Sequence, residues 1–493
     1  MKIVLGLGLL VGCVASVGAC RSTTNCSVSG DCYKGEQCVN GACLARAPDD
    51  IAPDVGPDAK PGVDIGGDVV VADTSSDIHG CVGALCGYSS PRGDLDEDFG
   101  VGGLTIISFS GNGADYLNAM HLTGQNQIVV AGGALAATGR VFAAAKLDAE
   151  GNLGTNFGIH GRVEAALSTK DDTVFGIAVQ EDDALIFVGS ANTGTQFRVG
   201  MAKFQGDGTR VISSFGVGGE VLASFSGDSA DGQAALTDGD GRVIVAGSRT
   251  QDSRSDFVVA AFNARGVADL NFGRNGVAVI RFDADQHQEF AEALILDAAG
   301  GIIAVGAAES SRAVALVRVK PGGALDTDFG LDSSGMSRLS LGTGTAASAV
   351  AIDSQNRIVV AGRVRVSGRE NFLIARFLQD GTLDSSFGTI GYLSVSPAGR
   401  EGRANAVAVD REDKIVVAGR SLVGTTERIT LVRLLANGEL DASFGDAGVV
   451  VTPVGQSHGY AKAMRIQDDG KILVAGSTRD ASGDYKFTVL RYK

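Results

Sequence analysis

Residues 404–419 read ANAVAVDREDKIVVAG, and residues 429–451 read ITLVRLLANGELDASFGDAGVVV. Four short runs of apolar or alternating residues are separated here by turns rich in Asp, Asn and Gly. This is the pattern of short β-strands rather than of helices, whose apolar residues recur every three or four positions. Because four short strands make one blade of a β-propeller, the stretch predicts a single blade.

The Phe-Gly dipeptide within this stretch recurs along the chain at steps of 58, 58, 57, 57, 58 and 57 residues. A glycine preceded by Ala or Val recurs in step with it, and we expect that glycine to end the second strand of each unit. A fixed period of this length indicates one supersecondary unit repeated along the chain. The Phe residues are Phe99, Phe157, Phe215, Phe272, Phe329, Phe387 and Phe444, and the glycines are Gly132, Gly189, Gly247, Gly306, Gly362, Gly419 and Gly476.

The two ends of the periodic region complement each other. It begins in the middle of a unit at residues 93–96 and stops at residues 487–492, where the fourth strand of the last unit is missing. Residues 104–109 supply that strand, and joining them to the end of the chain removes the exposed edges that invite aggregation. An open solenoid would need a polar cap at each end, and the sequence has none. We therefore predict an all-β fold, a closed seven-bladed β-propeller of four-stranded blades over residues 93–493.

Units of the form Ala-Val-Ala-Val-Asp … Lys-Ile-Val-Val-Ala-Gly … Gly-x-Leu-Asp-x-Ser-Phe-Gly resemble the delta-60 repeat family, bacterial β-propeller repeats of unassigned function. The resemblance covers residues 93–493. It implies a propeller and no particular activity. The chain has no tryptophan, which excludes the Trp-Asp pattern of WD40 repeats and the quinoprotein pattern.

Residues 1–19 have the features of a lipoprotein-type signal peptide. Lys2 gives a positive start, and the apolar stretch over residues 3–17 is short for a membrane span. The run SVGAC over residues 16–20 resembles a bacterial lipobox, in which the cysteine, here Cys20, carries the lipid. Cleavage without lipidation is the alternative. Arg21 follows the cysteine where inner-membrane retention would need Asp, so the resemblance implies an exported protein held through its lipid at the outer membrane or cell surface.

The remaining cysteines outside the signal peptide are even in number and all precede residue 87. In an oxidising compartment they predict a local disulfide framework, although four cysteines already allow three pairings. A zinc site is the rival interpretation, but it lacks a nearby histidine and C-x2-C spacing. We expect a Cys-rich module over residues 20–45 and a flexible Pro- and Asp-rich linker over residues 46–92. The disulfide candidates are Cys26, Cys32, Cys38, Cys43, Cys81 and Cys86.

Charge and motif content limit the function. A net charge of −15 argues against nucleic acid as a partner. The chain has five histidines without paired spacing and no nucleophile or phosphate-loop motif, so we expect neither a metal nor a cofactor. The Phe-Gly turns are expected to be structural because one catalytic group would not recur in every blade. Their aspartates should cap the turns: Asp96, Asp269, Asp326, Asp384 and Asp441.

Function should therefore lie where the repeat fails. Six arginines fall on the loops of one face in blades five and six, and clustered arginines bind carboxylate, phosphate or sulfate. Glu370, Glu401 and Glu427 lie close in sequence and could instead neutralise them. The candidates are Arg363, Arg365, Arg369, Arg400, Arg403 and Arg420.

Histidines and one further arginine give a second set of irregular positions. His121 and Arg465 stand at matching positions of the first strand in blades one and seven, where a solvated channel wall is the alternative to a ligand site. His287 and His458 fall on loops of the arginine-rich face.

Two functions are consistent with these features. The first is a membrane-anchored binding or scaffolding propeller, non-enzymatic, with an unknown protein or small anionic molecule as its partner. The second is an extracytoplasmic lyase or hydrolase with a site at the central channel, which would require a non-repeating His, Glu or Tyr constellation at one channel mouth.

Overall fold

The computed structural model divides the chain into two units, residues 1–88 and residues 89–493. It describes residues 92–109, 113–225, 229–282, 288–308, 312–454 and 458–493, together with the backbone of two short strands in the first unit. Those strands, β1 (Glu36–Val39) and β2 (Ala42–Ala45), pair antiparallel, and Cys38 stands directly opposite Cys43. The signal peptide, Cys20, Cys26, Cys32, Cys81, Cys86, linker residues 46–91 and His287 lie outside the described residues.

Seven four-stranded antiparallel sheets form the second unit. Their strands in chain order are β3 (Leu104–Ile107), β4 (Tyr116–Leu122), β5 (Ile128–Ala136), β6 (Gly139–Leu147), β7 (Arg162–Ala165), β8 (Asp172–Val179), β9 (Leu185–Asn192), β10 (Phe197–Phe204), β11 (Glu220–Ala223), β12 (Ser229–Thr237), β13 (Val243–Gln251), β14 (Arg254–Phe262), β15 (Val277–Ile280), β16 (Glu289–Leu296), β17 (Ile302–Ala308), β18 (Ala313–Val319), β19 (Met336–Ser340), β20 (Ala346–Ile352), β21 (Ile358–Val366), β22 (Arg369–Phe377), β23 (Tyr392–Val395), β24 (Gly402–Val409), β25 (Ile415–Val423), β26 (Thr426–Leu434), β27 (Val449–Thr452), β28 (Gly459–Ile466), β29 (Ile472–Arg479) and β30 (Tyr485–Tyr492).

Each sheet is one blade, and the blades close into a ring. Blades one to six comprise successive groups of four strands, from β4–β7 to β24–β27. Blade seven is β28-β29-β30 completed by β3 from the start of the unit. The first strand of each blade contacts the first strand of the next, and β28 contacts β4, so these seven strands surround a central channel. The predicted seven-bladed propeller and its closure are confirmed.

The closing strand is held by polar contacts as well as by strand pairing. Leu104 pairs with Leu490 in the β3–β30 register. Arg491 Nε donates to Asp96 Oδ2 at 2.8 Å, and the Arg491 amide donates to the Gly103 carbonyl oxygen, just before β3, at 3.1 Å. The two ends of the ring are therefore joined by buried interactions.

The Phe-Gly turn lies between the third and fourth strands of a blade and forms a hydrogen bond to a neighbouring blade. All seven Phe side chains are buried, and every following glycine has a positive φ, from 52° to 87°, which glycine adopts without steric cost. The glycine amide of each turn donates to a carbonyl of the neighbouring blade, as Gly388 N donates to Asn437 O at 2.9 Å. The predicted structural role of this motif is therefore confirmed.

The second-strand glycine has a role other than the one predicted. It does not end the strand, because β25 continues from Gly419 to Val423 and the other second strands also extend past their glycines. The glycine stands beside a β-bulge in the first strand, as Gly419 pairs with Ala404 where the register shifts. A Cβ at Gly419 would overlap the Arg403 carbonyl oxygen. The bulge, and not a turn, requires glycine here.

In the residues that the structure describes, no helix is long and apolar enough to cross a membrane.

Candidate functional site at one end of the central channel

Every innermost strand carries one β-bulge at the same place, and the bulge leaves one residue outside the strand pairing. In blade one the register shifts between Leu117 and Ala119, so Asn118 is the extra residue. The seven extra residues are Asn118, Phe175, Gln233, Glu292, Ser348, Asn405 and Lys462. We call them the bulge ring. Glu292 and Lys462 are its charged members.

The electrostatic surroundings of Glu292 place its side chain in the channel. The charges of four residues from other blades affect the pKa of its carboxyl group. These residues are Lys462, Arg403, Asp231 and Arg363, of blades seven, six, three and five. A side chain in blade four can approach groups from all of these blades only near the ring axis. Glu292 is exposed to the channel but surrounded by protein, and this loss of bulk solvation is the main reason that its pKa is raised.

Lys462 faces Glu292 from the other side of the ring. Blades four and seven are three steps apart in a ring of seven, which is nearly opposite. Lys462 is exposed to the channel, and reduced solvation lowers its pKa, while the charge of Glu292 acts in the other direction. In the described part of the chain neither side chain has an ion-pair partner within 4.0 Å, so a gap separates the two charges.

The residues two positions before the bulge ring form a second layer nearer the loops, because side chains two apart in a strand share a face. Its members differ from blade to blade: Tyr116, Thr173, Asp231, Phe290, Ala346, Arg403 and Tyr460. Asp231 in blade three is acidic and Arg403 in blade six is basic. This end of the channel, which we call the upper mouth, is therefore acidic towards blades three and four and basic towards blades six and seven.

Three of the six predicted arginines are partly neutralised. Arg363 Nε and Arg365 Nη2 lie 3.8 Å and 3.9 Å from Glu370 Oε1, and Arg420 forms an ion pair with Glu427. The alternative that acidic neighbours offset the cluster is thus correct for these three. For Arg369, Arg400 and Arg403 the described residues offer no carboxylate within the 4.0 Å of an ion pair.

Arg403 is the member of the cluster that reaches the channel. It pairs in register with Arg420, and its buried Nε has no hydrogen-bond partner among the described residues. Burial is the largest cause of its lowered pKa, and the charge of Arg363 is the next. Arg403 is therefore a cation held beside Arg363 and Arg420 in a partly desolvated position. The charges of Glu370 and Glu292 act in the opposite direction, and a bound anion would stabilise the guanidinium further.

Asp231 is the fixed acidic group of the upper mouth. Its Oδ1 accepts hydrogen bonds from the Ser248 amide and hydroxyl, each at 2.9 Å. Burial nevertheless raises its pKa. Its carboxylate adds negative charge on the side of the channel where Glu292 lies.

Tyrosines and arginines adjoin this site between blades seven and one. The ring of Tyr485 lies 5.3 Å from that of Tyr116 and 5.6 Å from that of Tyr460. Arg140 and Arg479 stack on Tyr116 and Tyr485 at 4.7 Å and 4.8 Å. Burial raises the pKa of Tyr460 to about 12, so its hydroxyl stays protonated at neutral pH. The sequence contains few tyrosines, and it does not by itself show that three of them cluster here.

The predicted His121–Arg465 pair lies elsewhere. The two residues occupy the far ends of neighbouring strands β4 and β28, and burial followed by the Arg465 charge lowers the pKa of His121. They are neighbours, as expected, but they do not join the arginine cluster. His458 Nδ1 accepts a hydrogen bond from the Glu427 amide at 3.2 Å. This contact gives His458 a structural role at the rim.

Two surface pockets lie at the opposite end of the propeller from the upper mouth. Arg318 and Arg357 line one of them, and both already form ion pairs, Arg318 with Asp297 and Arg357 with Asp353. Asp182 and Lys203 line the other, and Lys203 hydrogen-bonds Gln180. Within the described ranges no group of three or more His, Cys, Asp or Glu residues is arranged to hold a metal ion.

Sequence reasoning missed Glu292, Lys462 and Asp231, although a signal for the first two was present. Each bulge residue precedes the second-strand glycine of its unit by 14 positions, as Glu292 precedes Gly306 and Lys462 precedes Gly476. Aligning the units on that glycine shows a column in which Asn, Phe, Gln, Glu, Ser, Asn and Lys stand in an otherwise apolar strand. Only the bulge explains why that column is not part of the core.

A family model described as "Domain of unknown function (DUF5122) beta-propeller" matches four stretches of the chain, residues 239–272, 355–387, 413–444 and 467–493. They fall at the same place in blades three, five, six and seven, which agrees with the repeat in the sequence. The comparison with curated proteins gives no match.

Solved structures similar to this chain are propellers of varied function. A protein of unknown function from Dyadobacter fermentans is 12% identical over 65% of this chain and 94% of its own, with a TM-score of 0.37. Sqt1 from Chaetomium thermophilum is 12% identical over 79% and 99%, with a TM-score of 0.41. The polysaccharide lyase Uly1 is 11% identical over 78% and 91%, with a TM-score of 0.43. At these identities and TM-scores the likenesses carry no argument about the activity of this chain.

Proposed function

We propose that this protein is a binding propeller held at the cell envelope, and that its upper mouth takes an anionic group of a small molecule or of a protein partner. Arg403 is the central binding residue, with Arg363, Arg420 and Lys462 around it. A propeller is suited to this role because its rigid inner strands hold side chains from several blades around one point. The negative net charge of the whole chain makes the positive region distinctive.

The position of Arg403 carries this proposal. Its guanidinium is partly withdrawn from solvent, lies near two other arginines and has an unpartnered Nε. Holding like charges together in such a place is unfavourable, and an anion that accepts hydrogen bonds from Arg403 offsets that cost.

Titration calorimetry with sulfate, phosphate and citrate at low ionic strength tests the proposal. We expect Arg403→Gln to weaken binding at least about tenfold, since charge-assisted hydrogen bonds contribute about 1.5–3 kcal/mol. Neutralising Arg363, Arg369 and Arg403 together should weaken it further. Arg411→Gln is the matched control, because Arg411 is an exposed arginine whose ion pair with Asp468 lies at the opposite end of the propeller. Equal affinity of wild type and Arg403→Gln would rule out this site.

Anchoring is a separate part of the proposal and rests on the lipobox-like run that ends at Cys20. The Cys20→Ala protein should move from the membrane fraction to the soluble fraction of the cell envelope. If the Cys20→Ala protein stays in the membrane fraction, lipid anchoring at Cys20 is wrong, and the proposed binding site is not affected by that result.

Catalysis is a second candidate function, and the upper mouth provides an observation in its favour. It has Glu292 and Lys462 on opposite sides of one channel mouth, and Tyr460 lies two residues before Lys462 in the same strand, which gives a non-repeating set of Glu, Lys and Tyr. A carboxyl group with a raised pKa serves as a general acid or base in hydrolases and lyases. Turnover of nitrophenyl esters or anionic polysaccharides that disappears in Glu292→Gln would establish this function. Turnover that survives the substitution would not belong to this site.

A further inference from the structure

A ligand that carries only a negative charge would make no favourable contact with the acidic half of the upper mouth. Asp231 and Glu292 lie in blades three and four, across the channel from Arg403 and Lys462 in blades six and seven. A simple anion bound at Arg403 would have these carboxylates facing it. A positive group on the same ligand would compensate the negative charges of Asp231 and Glu292.

We propose that the ligand is dipolar, with an anionic group bound by Arg403 and Lys462 and an ammonium group bound by Glu292 and Asp231. This inference rests on the proposed function, since it assigns the second half of the same site. It identifies the ligand class as amino-carboxylates or similar zwitterions.

The separation of the charged groups supports a ligand between them. Glu292 and Lys462 are each other's foremost charge partners, yet they are more than 4.0 Å apart. Two long, flexible side chains of opposite charge in one channel would form an ion pair if the channel were narrow enough. Because both stay exposed to the channel and neither forms an ion pair among the described residues, both charges are open to contact with a ligand.

The wall between the charged halves sets further limits on the ligand. The remaining bulge-ring positions carry Asn118, Phe175, Gln233, Ser348 and Asn405, which bear no charge. The amides of Asn118 and Asn405 are already used, donating to Val174 O at 2.9 Å and Ala461 O at 2.8 Å of the following blades. Recognition by charge is thus confined to the two opposed ends, and the spacer between the ligand's charges has a neutral lining.

The full-length protein is tested with ω-amino carboxylates from glycine to 8-aminooctanoate, each compared with the plain carboxylate and the plain amine of the same length. For the best-fitting length we expect the amino-carboxylate to bind about tenfold more tightly than the plain carboxylate, from charge-assisted hydrogen bonds at the ammonium. The series of lengths removes the need to know the separation of the two charged ends in advance.

Variants assign each end of the ligand to its residues. Glu292→Gln should abolish the advantage of the amino-carboxylate over the plain carboxylate of the same length. Arg403→Gln should weaken both. Glu401→Gln is the matched control, a carboxylate on the loops of the same face that is not part of the bulge ring. Circular dichroism melting of each variant shows whether it remains folded.

The outcomes separate the two proposals. If plain carboxylates bind and depend on Arg403 but the ammonium adds nothing at any length, the dipolar ligand is wrong and the anion site stands. If the ammonium advantage persists in Glu292→Gln, the assignment of Glu292 is wrong. If neither carboxylates nor amino-carboxylates bind at millimolar concentration, both the inference and the small-anion form of the proposed function are overturned.

Discussion

At the scale of single residues, the Asp-x-x-Phe-Gly turns depend on ion pairs that are nearly withdrawn from solvent. Arg433 Nε lies 2.9 Å from Asp441 Oδ2, and their side chains are 1% and 6% exposed. The guanidinium also stacks 4.5 Å from the centroid of Phe444. The predicted cap is present as well, since Asp441 Oδ1 accepts a hydrogen bond from the Ser443 amide at 3.0 Å. The aspartate therefore joins turn, third strand and buried ring.

Replacing Asp441 with Asn should lower the free energy of unfolding by about 3 kcal/mol, because it removes the carboxylate that lies 2.9 Å from the buried Arg433 Nε. Asp468→Asn provides the comparison, since Asp468 is 90% exposed in its ion pair with Arg411 and should change stability by less than about 1 kcal/mol. Urea unfolding at pH 7 measures both. Similar effects of the two substitutions would contradict the buried-pair argument.

The same aspartate gives stability a dependence on pH. Burial alone would raise the pKa of Asp441, but hydrogen bonds from Ser443 and the charges of Arg433 and Lys414 lower it below its usual value. Its contribution is therefore complete above the unfolded pKa of about 4 and is lost as the pH falls through the folded pKa. The stability difference between wild type and Asp441→Asn should be constant from pH 5 to 7 and shrink below about pH 4. A difference that grows in acid would show that the carboxylate is not stabilised in the folded state.

At the scale of the strand, the bulge and its glycine determine where the functional side chains lie. Gly306 stands opposite the bulge that contains Glu292, and a Cβ there would overlap the Phe290 carbonyl oxygen. The same contact exists at the second-strand glycine of every blade. The repeat thus preserves a device that presents one side chain per blade to the channel, while the identity of that side chain varies.

Gly306→Ala should destabilise the propeller by about 1–3 kcal/mol, as added atoms do in a packed interior, and should also weaken amino-carboxylate binding by displacing Glu292. Gly239→Ala is the control, because a Cβ at Gly239 meets nothing within 4 Å and the residue lies in the turn between β12 and β13. Thermal melting measures the loss of stability, and titration calorimetry measures the affinity for the amino-carboxylate. A stable Gly306→Ala protein with unchanged affinity would show that the bulge does not position Glu292.

At the scale of the whole molecule, closure of the ring places the site. Glu292 and Lys462 are 170 residues apart in the sequence and face each other across the channel only because the blades close into a ring. The last blade depends on β3, which pairs with β30 over Leu104–Ile107. Without β3, the edge of β30 would be open, and an open edge pairs with other chains.

A protein that lacks residues 1–109 should therefore aggregate or unfold at a lower temperature, whereas one that lacks residues 1–88 keeps the closing strand and should remain a stable propeller. Size-exclusion chromatography and thermal unfolding compare the two truncations. Equal stability would mean that the ring does not depend on β3.

The sequence by itself determined the blade number, the four strands per blade and the closure by residues 104–109, because a period of 57 or 58 residues allows only one repeated unit and the two ends complete one another. It also predicted an arginine-rich face in blades five and six. It did not predict Glu292, Lys462 and Asp231 as one site, because their proximity arises from the curvature of the ring, which brings distant blades to one axis. The prediction that each second strand ends at its glycine was also wrong. A glycine that accommodates a bulge has the same local sequence pattern as a glycine that ends a strand. Tertiary structure alone decided which irregular residues face each other across the channel.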